Sequence, residues 1–184
     1  MKTPDTLDSR FREAAEREGL VDVAFDVAES PIGDLLVAVT ERGLARIAYR
    51  PDEALEELAA DFGARVLRIP RRTDTVRREL DEYFAGTRRD FDLETDLSAV
   101  PDFHRQVLRE LALVPFGEVT TYGALAAKVG KPSAARAIGG AMNRNPIPIV
   151  LPCHRVIGAN GSLTGYAGGL DRKVQLLRLE GVTL

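Results

Sequence analysis

Residues 145–157, N-P-I-P-I-V-L-P-C-H-R-V-I, constrain this chain more than any other stretch. Pro146, Pro148 and Pro152 each lack an N–H and clash with a preceding helical turn, so the run is not a helix. The apolar residues between them predict an extended, largely buried segment. It ends on the only cysteine of the 184 residues, Cys153, followed at once by His154, one of two histidines, and by Arg155. Whatever fold forms around this run must deliver a thiol, an imidazole and a guanidinium at its end.

A single cysteine permits neither an internal disulfide nor a cysteine-rich structural zinc site, and no metal is expected. At 45% hydrophobic residues the chain can bury a sizeable core, in one large domain or two small ones. It has no run of about 18 apolar residues, so no membrane span is expected. The opening M-K-T-P-D-T-L-D-S-R lacks the apolar core of a signal peptide. A cytoplasmic protein is the default expectation. The net charge of −3 divides unevenly: from Leu97 onward there are ten Lys and Arg against five Asp and Glu, and before it 15 against 23. A basic half joined to an acidic one suits a polyanion met by the C-terminal half alone; scattered solvated charge is the alternative.

The acidic half, residues 1–96, reads as an α+β scaffold. Residues 8–18 predict a peripheral helix, capped by Asp8 or Ser9, stopped by Gly19, with Phe11, Ala14 and Ala15 as a thin apolar stripe. Residues 21–28, 35–40 and 44–49 predict an antiparallel meander, broken by turns at Ser30-Pro31-Ile32-Gly33 and Glu41-Arg42-Gly43. Helices are predicted over 52–62 and 73–84, with a short strand at 66–69 between them. Residues 91–101 make the best boundary. No chemical motif stands out before it.

The basic half, residues 97–184, reads as mainly helical. Residues 103–114 predict an amphipathic helix with Phe103, Val107, Leu108 and Leu111 inward, and with His104 at its surface. A helix capped by Thr120 or Thr121 and stopped by Gly130 is followed, after Lys131-Pro132-Ser133, by A-A-R-A-I-G-G-A-M-N-R-N; this is a helix-turn-helix pattern. The second helix is nearly bare of side chains, and each interior glycine costs about 1 kcal/mol relative to alanine. Either it packs tightly against a neighbour or it lies in a narrow nucleic-acid groove, with Arg136 as its one long side chain before Arg144. Residues 164–169, T-G-Y-A-G-G, predict a glycine-rich lid, without the spacing of a phosphate loop. The last helix, 170–179, is expected to bury Leu170, Val174, Leu176 and Leu177. Glu180 at its C-terminus opposes the helix dipole, which points to a cationic or hydrogen-bonding partner such as His154.

A lone cysteine is most often a small buried hydrophobe. Here the charges of His154 and Arg155 are expected to favour thiolate, and Glu180 completes a Cys-His-Glu set. The residues alone indicate a nucleophilic cysteine and leave hydrolase and transferase open. A DNA-binding regulator with an alkylation- or redox-sensing Cys153 is the competing reading from another class.

At P-C-H-R-V, 152–156, the chain resembles the O6-alkylguanine-DNA alkyltransferases, the methylated-DNA–protein-cysteine methyltransferases. F-G-E-V-T-T-Y-G-A-L-A (116–126), A-A-R-A-I-G-G-A-M (134–142), N-P-I-P-I (145–149), G-Y-A-G-G (165–169) and L-E-G (179–181) extend the likeness, in the family's order, over about residues 100–181. The acidic half resembles the family's ribonuclease-H-like domain in outline. The resemblance implies a monomer that acts without a cofactor and binds double-stranded DNA through the minor groove. It would take the alkyl group from O6-alkylguanine onto Cys153, once and irreversibly, with O4-alkylthymine left open. It further implies His154, oriented by Glu180, as acceptor of the thiol proton; Tyr122 as donor to the leaving base; and Asn145 as holder of the cysteine turn. Arg136 would replace the rotated-out nucleotide. Ala135, Gly139, Thr121, Arg144 and Arg155 would join the DNA contact, and Val156, Tyr166 and Ala167 the base pocket. Some members have Ser where Ala167 stands.

Overall fold

In the computed structural model, which describes residues 4–183, the first unit forms around β2 (Leu35–Thr40). Its sequence, L-L-V-A-V-T, has no polar residue before Thr40, and it is buried on both faces. β1 (Val23–Ala28) and β3 (Gly43–Ala48) pair antiparallel on either side of it, placing Val37 opposite both Asp26 and Ile47. The turn at Ser30–Gly33 closes with Gly33 N–H donating to Ser30 O at 3.0 Å. Gly43 is required where it stands. Its φ is 129°, and a Cβ there would lie 2.3 Å from Glu94 O.

Two sequence expectations change here. β4 (Val66–Arg68) pairs with β1 in parallel, giving the order β3-β2-β1-β4. The sheet is therefore mixed, and the meander covers only its first three strands. The reason is α2 (Pro51–Phe62), which intervenes after β3 and returns the chain to the far edge. α2 starts on Pro51, with Asp52 and Glu53 in its first turn, and packs Ala54 and Leu58 on Val23, Leu36 and Ala38 as the unit's core. The peripheral helix, α1 (Pro4–Arg17), begins four residues earlier than expected, so Asp8 and Ser9 lie inside it rather than at its cap. Phe11 is 62% exposed and packs nothing into the core; Ala15 is buried. Gly19, at φ 67°, stops the helix as expected.

The chain divides into Met1–Arg78 with Leu93–Ala99, and Glu79–Asp92 with Val100–Leu184; residues 1–3 and 184, the extremities of both expected domains, lie outside the described residues. The division falls within α3 (Pro70–Phe84), whose last turns, with Leu80 and Tyr83 buried, belong to the second unit. There α4 (Asp102–Ala112) buries Val107, Leu108 and Leu111. α5 (Tyr122–Lys128) is capped by Thr121, whose Oγ1 accepts from Ala124 N–H at 3.1 Å. α6 (Ala135–Asn143) follows the turn after Gly130 and completes the helix-turn-helix. Two-residue strands β5 (Thr120–Thr121) and β6 (Val156–Ile157) pair in parallel. In α7 (Leu170–Leu179) the buried face is Lys173, Leu176 and Leu177, continuing to Glu180; Leu170, expected inside, is 47% exposed. Among the described residues no helix is long and apolar enough to cross a membrane.

The proline-rich run is buried as expected but is not extended. Leu151 N–H reaches back to Ile147 O at 2.9 Å, and Cys153–Arg155 forms a 3-10 turn. Proline forbids the helical and ladder patterns, yet it leaves tight turns open. Ile149 adopts φ 77°, a left-handed conformation that a β-branched side chain enters only under constraint, at a cost of about 1–3 kcal/mol.

Candidate active site

The constraint on the run comes from Asn145. Its Nδ2 donates to Leu151 O at 2.7 Å and its Oδ1 accepts from Ile147 N–H at 3.0 Å, so one side chain ties both ends of the turn. Cys153 follows that turn and is 4% exposed. Burial pushes its thiol up to about 11, against smaller opposing effects from Asn145, Lys173 and Tyr166. Burial outweighs the neighbouring charges that were expected to favour thiolate. The two charges meant to favour it are unavailable: burial holds His154 below its ordinary range and neutral, and Arg155 is bound to a carboxylate.

That carboxylate is Glu180. Its Oε1 accepts from His154 Nε2 at 2.8 Å, Arg155 Nη2 at 2.8 Å and the Tyr83 hydroxyl at 2.7 Å. Its Oε2 accepts from Arg155 Nε at 2.8 Å and Gly117 N–H at 3.3 Å. Burial alone would push Glu180 up; the hydrogen bonds from His154 and Arg155 and the charge of Arg155 overcome it and hold the acid at about 2. An ionised carboxylate only accepts, so His154 must carry its proton on Nε2. The other ring nitrogen, Nδ1, keeps its lone pair and is buried with no protein partner. The arrangement holds an unused base one residue from a protonated thiol.

Lys173, fully buried, donates from Nζ to Val156 O at 2.6 Å and Thr164 O at 3.2 Å, tying β6 to the start of the glycine-rich loop. Burial lowers its pKa, and a negative charge on Cys153 would raise it again. The Tyr122 hydroxyl shares a 2.7 Å hydrogen bond with Thr164 Oγ1, and its ring edge lies beside Gly139. Tyr166 is half-buried, Ala167 exposed and Val156 buried. Sequence reasoning passed over Lys173, Thr164, Tyr83 and the strained Ile149. A signal existed for Lys173: with Leu176, Leu177 and Glu180 it falls at i, i+3, i+4, i+7, the spacing of one helix face.

The outward side of the helix-turn-helix carries Ala135, Arg136 and Ala137, all exposed, with Gly139 and Gly140 half-buried. A Cβ on Gly139 would meet nothing closer than Tyr122 at 3.9 Å, and one on Gly140 only the flexible end of Arg144 at 3.3 Å. Close packing inside the chain therefore explains the fully buried Ala141 but not the two glycines or the exposed Ala135 and Ala137. Arg144 is exposed beside His104, and Thr121 is half-buried at its cap. Arg155 is not on this surface. It is 5% exposed and spends its guanidinium on Glu180 and on Val114 O at 2.6 Å, which corrects its expected place in the DNA contact. With Arg155, Lys173 and Glu180 inside, eight basic and four acidic side chains from Leu97 onward lie outside the buried cluster.

Known proteins give this arrangement its context. The family model described as 6-O-methylguanine DNA methyltransferase, ribonuclease-like domain, matches residues 23–97, and that described as 6-O-methylguanine DNA methyltransferase, DNA binding domain, matches residues 102–182. A methylated-DNA–protein-cysteine methyltransferase of Methanosarcina barkeri is 43% identical over 156 residues, covering 85% of this chain and 96% of that protein. One from Mycolicibacterium paratuberculosis is 43% identical over 158 residues, covering 86% and 92%. The crystal structure of Mycobacterium tuberculosis OGT in complex with DNA is similar with a TM-score of 0.76 at 39% identity, over 85% of this chain and 92% of that one. The O6-methylguanine-DNA methyltransferase of Pyrococcus kodakaraensis gives 0.62 at 28% identity, over 87% and 99%. Matched in both halves, in order, and by relatives covered nearly end to end, the chain belongs to the methylated-DNA–protein-cysteine methyltransferase family.

Proposed function

We propose that this protein repairs alkylated DNA by taking the alkyl group from O6 of guanine onto Cys153, once per molecule. The observation that carries the reading is the buried His154–Glu180 pair, adjacent in sequence to the buried Cys153, in which Nε2 of the imidazole is committed and Nδ1 is left as a base. In the reaction the sulfur forms a bond to the alkyl carbon as the carbon–O6 bond breaks, and the electron pair leaves with the base. The thiol proton passes to His154 Nδ1 through a bridging water, which Glu180 supports by its charge. Tyr122 donates a proton to guanine as negative charge develops on it. A thiol that rests protonated is ionised only as the transfer begins, which protects it from other electrophiles.

O6 cannot be approached in line inside a duplex, so the nucleotide is rotated out, and Arg136 takes its place in the stack. The bare outward face of α6 suits a minor groove, with Arg144 and Thr121 on flanking phosphates. Tyr166 and Ala167, from the glycine-rich loop, close over the base beside Val156; Ala167 offers its backbone N–H where some relatives have a hydroxyl. The product is a thioether, and no group in the cluster has the chemistry to cleave it, so each molecule is consumed by one lesion.

Incubation with O6-benzylguanine followed by intact-mass analysis and peptide mapping tests this. One benzyl group per protein on Cys153, absent in Cys153→Ala, is the expected result. Repeated turnover without an adduct would make the protein a hydrolase, and no reaction with base or duplex would leave a DNA-binding sensor.

A further inference from the structure

Tyr83 lies in α3, far in sequence from every residue given a role above. Its ring packs among Phe84, Phe91 and Phe116, with centroids 5.3, 5.4 and 6.1 Å away. A phenylalanine would serve that packing equally well. The hydroxyl does something else: fully buried, it donates to Glu180 Oε1 at 2.7 Å, the oxygen that also holds His154 Nε2. We infer that Tyr83 is a positioning residue for alkyl transfer, setting through Glu180 how strongly His154 takes the thiol proton. The inference rests on His154 acting as the base toward Cys153.

The physical argument concerns one oxygen with three donors. A carboxylate bonded to His154 alone would concentrate its charge there and hold the imidazolium tightly. An imidazole protonated at rest cannot accept a proton. Each added donor draws charge from the shared oxygen and weakens that pull. The charged or titratable groups around His154 are Glu180, Arg155, Lys173 and Cys153. Arg155 is a permanent cation that donates to both oxygens. Tyr83 adds a neutral donor to the histidine's own oxygen, trimming its basicity without adding a second charge to the cluster. Removing the phenolic hydrogen returns charge to Oε1 and raises the proton affinity of His154.

The test uses the full chain and compares wild type, Tyr83→Phe, and protein with 3-fluorotyrosine at position 83, whose more acidic phenol is a stronger donor. Phe91→Leu serves as a packing control, because it disturbs the same aromatic cluster without touching Glu180. Two quantities are read. One is the titration of His154 by 15N NMR, which His104→Gln assigns, since the chain has two histidines. The other is the second-order rate of O6-benzylguanine labelling from pH 5 to 9. In Tyr83→Phe the His154 titration and the acid limb of the rate should both move up by about 0.5–1 on the pH scale, a three- to tenfold change in proton affinity. The fluorinated protein should move both the other way, and Phe91→Leu neither. A uniform rate loss with no shift, an unmoved titration in both Tyr83 proteins, or a shift of the wrong sign overturns the inference. A titration that moves while the rate limb stays fixed means His154 is not the base; that result, or no benzyl adduct in wild type, fails the proposed function instead.

Discussion

Two buried carboxylates, one in each unit, solve the same electrostatic problem differently. Asp26 on β1, 3% exposed, is met by Arg68 at 2.8 Å and Arg77 at 3.0 Å, whose side chains are 55% and 38% exposed. Glu180, 5% exposed, is met by Arg155, His154 and Tyr83, all buried. The arginines of Asp26 reach in from water and can turn back to it, so the cluster is a rivet at a sheet margin. The partners of Glu180 have nowhere else to go. Their arrangement costs more to build, and it holds a histidine in one tautomer beside a thiol. A network with solvent at one end stabilises; one sealed on all sides can also transmit a proton.

Breaking each carboxylate should expose that difference most strongly. Glu180→Gln leaves Arg155 as a buried cation without its charge partner, a loss of about 3–5 kcal/mol. It also removes the support for an imidazolium, so labelling of whatever remains folded should fall by about a hundredfold. Asp26→Asn should cost roughly 1 kcal/mol or less, because Arg68 and Arg77 rehydrate, and labelling should be unchanged. Urea denaturation and single-turnover labelling of both variants check this; equal stability losses would erase the distinction.

The pH dependence of stability should follow the sealed cluster. Glu180, held at about 2 against an ordinary 4.5, contributes stability that is complete above about pH 5 and is lost as pH falls toward 2. His154, lowered by burial, adds to the loss on the acid side, since its unfolded form protonates first. Cys153, raised to about 11 from 9, works in the opposite sense. Its neutral form is favoured in the fold, so stability is intact below pH 9 and declines as pH rises through 11, by about 1.4 kcal/mol for each tenfold difference in proton affinity between folded and unfolded chain. Lys173, also lowered by burial, gains stability as pH rises toward 10.5 and offsets part of the thiol's loss, so denaturation midpoints should fall clearly on the acid side below about pH 7 and only weakly on the alkaline side. Cys153→Ala should flatten the alkaline decline and Asp26→Asn should not.

The arginines offer a third contrast. Arg50, in the acidic half, is exposed and pairs with Glu53 at 2.8 Å; Arg136 is exposed on a face of alanine and glycine. Arg136→Ala should slow repair of duplex DNA by about tenfold and leave the free base untouched, whereas Arg50→Ala should change neither. Equal losses on duplex and free base would remove Arg136 from the stack.

Much of this was readable from the chain because local rules govern it. Helix stops at Gly19 and Gly130, the cap at Thr121 and the alternation of turns and strands through Gly43 follow from backbone chemistry within a few residues. The parallel pairing of β4 was not readable, since nothing within Val66–Arg68 records which edge it joins. At the site, Cys153, His154 and Glu180 announced themselves by type and neighbours. The fate of Arg155 did not: a guanidinium beside a reactive cysteine reads as available charge until the fold brings Glu180 to it from 25 residues away. Tyr83 is 97 residues from its partner and looks like any inward aromatic of a helix. A lysine is normally solvated, and Lys173 is fully buried because its spacing places it on the inward face of α7.

The finest form of the comparison is between two threonines. In the first unit Thr40 Oγ1 donates to the buried Asp96 at 2.6 Å; in the second, Thr164 Oγ1 meets the Tyr122 hydroxyl at 2.7 Å. Both are single hydrogen bonds of similar length, and valine removes either with little change of shape. Thr40→Val takes a donor from a carboxylate that must stay satisfied, so it should cost about 1–2 kcal/mol of stability and leave labelling intact. Thr164→Val takes nothing from a charge. In the proposed transfer of a proton from Tyr122 to the leaving base, however, its oxygen gains negative character, and the Thr164 hydroxyl is placed to donate to it. Labelling should fall by about threefold with O6-benzylguanine, and less with O6-benzyl-8-bromoguanine, whose leaving base is less basic and needs the proton less. Stability should hold, and Thr164→Ser should restore the rate. A loss in Thr164→Val that is the same for both bases would assign the threonine to pocket shape rather than to the proton on Tyr122.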